Sequence, residues 1–113
     1  MIDWSRVNDL RREIGESSFA EVTEMFLDEV ETVLARLGSQ TAAQALAEDM
    51  HFLKGSAWNL GFQDFGAVCQ DTERRATAGT ITAPEIPALL HSYARSKAAF
   101  LEGLAVAPAP PAG

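Results

Sequence analysis

One cysteine, two histidines and nine basic residues against sixteen acidic ones place several classes of protein out of reach. A lone thiol, Cys69, closes no internal disulfide, so the fold does not depend on an oxidising compartment. With the two histidines it also falls short of the four ligands that a structural zinc site uses. The net charge of −7 repels a phosphate backbone, which argues against nucleic acid and for protein partners. No apolar run approaches the roughly 20 residues of a membrane span, and no leader of the secretory kind is present, so the expected setting is the cytoplasm, away from membrane. No apolar-polar alternation reads as a strand. No Gly-rich phosphate loop or acidic triad offers a nucleotide or metal site.

What the chain does have is helical periodicity cut by glycines. Its 113 residues suit one domain. Gly15, Gly38, Gly61 and Gly79 fall where the apolar pattern lapses, as glycines past helix ends do. They predict helices at about 3–14, 19–37, 42–60, 63–78 and 83–105. Asp3 is placed to cap the first helix, and Ser18 to Glu21, Thr41 to Gln44 and Thr82 to Glu85 have the capping-box form. Apolar stripes run through Phe19, Val22, Phe26, Val30, Val33 and Leu37, then through Leu46, Met50, Leu53, Ala57 and Leu60. Phe62, Phe65, Val68, Cys69 and Ala76 continue the pattern. In the last helix it is carried by Ile86, Leu89, Leu90, Tyr93, Ala94, Phe100, Leu101 and Leu104. The expected fold is all-α: an up-and-down four-helix bundle over residues 1–105 with a short additional N-terminal helix. The Pro/Ala-rich stretch 106–113 carries no stripe and is expected to be a disordered tail. Because a single bundle uses up the stripes, a monomer is expected.

Within the third predicted helix, His51-Phe52-Leu53-Lys54-Gly55-Ser56 puts an imidazole, an ammonium and a bare backbone on neighbouring turns. An imidazole can carry a covalent phosphoryl group, and an ammonium offsets the charge that such a group brings. Gly55 costs a helix interior roughly 1 kcal/mol relative to Ala, so it asks for a reason, and close approach of another molecule is one. With His51 at zero on a helical wheel, the core stripe spans about 180° to 260°, whereas Ala47, Lys54, Gly55 and Trp58 lie within about 60° of the histidine. The small residues at 47 and 55 leave the His51 face open enough for a flat partner surface to reach the ring. His91 has no such company and is assigned no chemistry. Glu48 stands three residues before His51, as in bundle metal sites, but this lone copy faces away from the predicted core, so no metal site is expected. Cys69 reads as a small buried hydrophobe, and Arg74 and Arg75 as solvated charges or steering groups.

The run from His51 to Gly61, His-Phe-Leu-Lys-Gly-Ser-Ala-Trp-Asn-Leu-Gly, resembles the signature of the histidine-containing phosphotransfer domains of two-component phosphorelays. The resemblance implies that His51 is the phosphorylated residue, Lys54 the cation near the phosphoryl oxygens and Gly55 the clearance for an incoming receiver domain. It implies that Glu73, on the following helix, hydrogen-bonds the imidazole. Ala47, Phe52, Trp58 and Asn59 become candidates for the docking surface. The partners implied are receiver domains of response regulators or hybrid kinases, which would supply the phospho-accepting aspartate and the Mg²⁺. This chain is then a carrier with no bound cofactor and no kinase activity of its own. Met50, Trp58 and Phe62 depart from the family's usual small residues at their positions. A different class stays open: a helical interaction module that binds a receiver or another signalling protein without carrying phosphate.

Overall fold

The computed structural model describes residues 2–37, 43–79 and 85–106. They form four helices, α1 (Trp4–Leu37), α2 (Ala43–Leu60), α3 (Gln63–Thr77) and α4 (Glu85–Val106). Among the described residues no strand forms, and extended pairing is confined to an isolated bridge between Ile2 and Phe62. The capping sequences at Thr41 and Thr82, Gly38 and the tail from 107 onward lie outside the described residues.

α1 is two helices in series. Gly15 sits at φ 83°, ψ 161°, a conformation that side chains with a β-carbon avoid, so residues 4–14 form a first limb and 16–37 a second. The start expected at Ser18 is corrected. Helix resumes directly after Gly15, and Ser18 is an exposed residue inside it, because the glycine alone both ends one limb and opens the next. Arg11 braces the bend from within: its Nε donates to Glu16 at 2.8 Å and its guanidinium lies 5.4 Å above the Phe19 ring.

The first limb is laced onto the turn between α2 and α3. Asp3 caps it as expected, its Oδ1 accepting from the Arg6 amide at 3.2 Å. The Asp3 amide donates to the Gly61 carbonyl at 2.8 Å, while Arg6 donates from Nε to the Asn59 carbonyl at 2.9 Å and from Nη2 to Asn59 Oδ1 at 2.8 Å. Gly61 itself has φ +90°, and a β-carbon there would stand 2.8 Å from both the Asp3 carbonyl oxygen and Val7 Cγ2. Gly61→Ala combines left-handed strain with overlap against backbone, so it is expected to lower stability by about 3 kcal/mol. Denaturant unfolding checks this; a loss below about 1 kcal/mol would show that the turn adapts freely.

Phe62, fully buried, is the hub of the core, with ring centroids of Phe26 and Phe100 each 5.0 Å away and Tyr93 at 6.4 Å. Trp4 stacks on Phe100 at 5.9 Å and covers Gly103, where a β-carbon would fall 2.0 Å from the indole. The α2 stripe from Leu46 to Leu60 is buried as expected. In α4 the outcome differs. Leu89, Tyr93, Ser96 and Phe100 face inward, whereas Leu90 and Leu101 are 40% and 44% exposed and Ala94 is exposed as well. Two apolar stripes offset by one residue share the helical period, and one helix can turn only one of them to the core. Glu31 sets that rotation by accepting from the Tyr93 hydroxyl at 2.8 Å and from Lys97 Nζ at 2.6 Å.

Candidate functional site

Burial of Met50 and Leu53 fixes the rotation of α2 and turns His51 outward, with 71% of its side chain exposed. The short Gly61-Phe62 turn then returns the chain as α3 alongside α2. Trp58 packs on Gly66 near the turn and His51 meets Glu73 farther along, successive rungs of an antiparallel pair.

Glu73 joins the two basic groups of the α2 motif. Its Oε2 lies 3.0 Å from His51 Nδ1 and its Oε1 accepts from Lys54 Nζ at 2.8 Å. The Lys54 hydrogen bond, aided by His51 and opposed by burial, holds the carboxyl below its ordinary range. Glu73 is therefore ionised at neutral pH and has no proton to donate. It follows that Nδ1 of a neutral His51 carries the hydrogen and donates it, which leaves the lone pair on Nε2 of a largely exposed side chain. Lys54 is committed to Glu73 with only 19% of its side chain exposed, so its charge reaches the ring through the shared carboxylate.

The depressed Glu73 pKa has a sign for stability. A carboxyl whose folded-state pKa lies below its ordinary 4.5 contributes above that value and loses the contribution as pH falls through the folded-state pKa. Glu73→Gln is thus expected to be less stable than the parent at neutral pH, with the gap closing in acid. Parallel thermal melts across that range check it; a gap that persists unchanged in acid would show that the carboxylate charge plays no part.

Gly55 is exposed, and a β-carbon built on it has no heavy atom within 4 Å. Among the described residues no packing neighbour requires a glycine there. Trp58 folds against the next helix and stays partly exposed. Its indole covers Gly66, with Nε1 donating to the Gln63 carbonyl at 3.3 Å, yet 39% of the residue stays exposed on the His51 side of α2. Phe52 is 46% exposed and borders a depression between α1 and α2 walled by Thr32, Val33 and the Arg36–Asp49 ion pair. Asn59 is exposed, but its carbonyl and side-chain oxygens are both engaged by Arg6, which makes it a latch for the first limb.

Ala47 lines a shallow depression beside the imidazole together with Gln44, Glu48, His51 and Glu73. Sequence reasoning left Gln44 and Glu48 out of the site, though their offsets of seven and three residues from His51 were a helical signal for that face. Arg74 and Arg75 do not reach the ring and pair with Asp71. Cys69, one turn before Glu73, is buried, and burial followed by the Glu73 charge pushes its thiol up to about 12, so it stays protonated. Among the described residues no three of His, Cys, Asp and Glu gather as a metal site requires.

An exposed histidine oriented by a carboxylate, beside a lysine and an unfilled glycine on an all-helical scaffold, accords with the finding that residues 21–99 match the model of the Hpt domain. The chain belongs to the Hpt domain family. Hpt domains are helical bundles that carry phosphoryl groups in two-component signalling and engage receiver domains. In this Hpt domain the match takes in all of α2 and α3 and opens inside the second limb of α1, so the first limb and Gly15 stand ahead of it. No curated protein and no solved structure matches the chain. Among the described residues no helix is long and apolar enough to cross a membrane.

Proposed function

We propose that this Hpt domain is a phosphorelay intermediate, accepting a phosphoryl group on His51 from a receiver aspartate and passing it to another receiver. The bundle is read as up-and-down over residues 1–105, acting in the cytoplasm. The observation that carries the reading is Glu73 bridging His51 Nδ1 and Lys54 Nζ, which leaves Nε2 as an exposed nucleophile. In the accepting step Nε2 attacks phosphorus, the N–P bond forms and the P–O bond of the aspartyl phosphate breaks, returning the carboxylate to the receiver. The ring keeps its Nδ1 hydrogen and becomes cationic, and the ionised Glu73 balances that charge. The donating step is the reverse.

Phosphoryl transfer also calls for charge neutralisation by a divalent cation, which is expected as Mg²⁺ on the receiver, while this chain binds no cofactor. Lacking a nucleotide-binding motif, the domain carries phosphate and does not act as a kinase. A receiver docks over Phe52, Gly55 and Trp58, with Ala47 beside the ring. The α1–α2 depressions that include Met25 and Val33 extend this face. Incubation with a phosphorylated receiver and Mg²⁺, followed by intact-mass measurement, should show one added phosphoryl group that is labile in acid. Binding of receivers without any such transfer across a panel would favour the phosphate-free interaction module.

A further inference from the structure

The depression beside the imidazole has a second carboxylate in its wall, that of Glu48, opposite no cation of its own. Glu48 is exposed and stands three residues ahead of His51 on α2, a spacing that holds the two β-carbons about 5–6 Å apart. Among the described residues it makes no hydrogen bond or ion pair. The neighbouring cations are committed elsewhere: Lys54 to Glu73 and Arg36 to Asp49, each at 2.8 Å. Two carboxylates therefore border the imidazole with one ammonium, and that ammonium sits on the other carboxylate.

We propose, on the phosphotransfer reading, that Glu48 sets the poise of the relay: its charge raises the free energy of phosphorylated His51 and drives the phosphoryl group on to a receiver. A phosphoryl group brings nearly two negative charges to the ring. Glu73 offsets the positive charge that the ring acquires, whereas Glu48 has only repulsion to offer. In the donating step the N–P bond at Nε2 breaks with its electron pair returning to the ring, and an aspartate oxygen of the receiver forms the new P–O bond. The phosphoryl charge thereby leaves the neighbourhood of Glu48. The unphosphorylated domain has no such repulsion to lose, so the carboxylate favours the emptied state over the loaded one. Salt weakens the effect, because the screening length falls from about 10 Å at 0.1 M to about 3 Å at 1 M.

The final ratio of the two phosphorylated proteins separates this role from docking. A residue that only touches the receiver changes forward and reverse rates together and leaves the equilibrium between the free species where it was. A residue that repels the phosphoryl group moves that equilibrium.

The full chain is mixed in dilute solution with a phosphorylated receiver and Mg²⁺, and intact mass at neutral pH follows both proteins until their ratio stops changing, over an interval in which total phosphate is conserved. Glu48→Gln should shift the ratio toward phosphorylated His51 by about three- to tenfold at low salt, and Glu48→Lys by at least ~tenfold. At 1 M salt both shifts should shrink to less than about twofold. Glu102→Gln makes the same charge change on an exposed position of α4 and should leave the ratio as in the parent. Both positions are exposed, so circular dichroism should stay that of the parent. A ratio unmoved by either Glu48 variant, a shift that persists at 1 M salt, or an equal shift from Glu102→Gln would each overturn the proposal. A parent that takes up no phosphate at all would sink the phosphotransfer reading itself, and Glu48 would then have nothing to repel.

Discussion

Replacing His51 with Gln is expected to abolish acid-labile phosphorylation from a phosphorylated receiver while leaving thermal stability almost unchanged. The first half follows from chemistry: an amide in place of the imidazole has no nucleophilic lone pair, and among the exposed groups around it none is a second imidazole. The second half follows from exposure. With 71% of its side chain in solvent and one polar contact, His51 contributes about 1 kcal/mol or less to the fold, and Lys54 still holds Glu73 once it is gone. Intact mass and a thermal melt on the same sample read both halves. A variant that labels as well as the parent would place the phosphoryl group elsewhere and sink the assignment.

Gly55→Leu is expected to move stability and transfer in opposite directions. Nothing lies within 4 Å of the missing β-carbon, so the substitution removes the glycine penalty of the helix interior and raises stability by about 0.5–1 kcal/mol. The same side chain then projects beside His51 on the face proposed above for receiver docking. An overlap there costs the complex about 1–3 kcal/mol, or roughly tenfold to hundredfold in transfer at subsaturating receiver. Gly55→Ala should gain most of the stability and lose less of the rate. Denaturant midpoints set against transfer time courses test the pair; a Leu variant that is more stable and transfers at the parental rate would show that the opening at Gly55 serves no docking partner.

The parts legible in the sequence were those that a short stretch of chain decides by itself. Gly15, Gly61 and Gly79 all take positive φ and all mark helix ends, because glycine alone tolerates that backbone. The α2 stripe could be read because its opposite face carries Gly and Lys, so the period had a single solution. α4 offered two solutions, and the choice came from Glu31, more than 60 residues away, through Tyr93 and Lys97. The Arg6–Asn59 latch was illegible for a similar reason, since a pair 53 residues apart leaves no local pattern. Trp58 was visible as a bulky residue, yet its seat on Gly66, like that of Trp4 on Gly103, exists only once two helices are side by side. Glu73 stood between these cases: its sequence neighbours Arg74 and Arg75 suggested a solvated acid, and the resemblance to a family is what directed it to the histidine.

If His51 carries the phosphoryl group, the contact between Glu73 and Nδ1 has a consequence for regiochemistry. A phosphohistidine exists as two positional isomers, and a free imidazole in water has either nitrogen to offer. Here one nitrogen is spoken for by an ionised carboxylate at 3.0 Å, and the other has no such partner among the described residues, on a side chain that is largely exposed. Under the proposed function, the bundle would select which molecule is made on its surface, the isomer phosphorylated on the nitrogen remote from the side-chain stem.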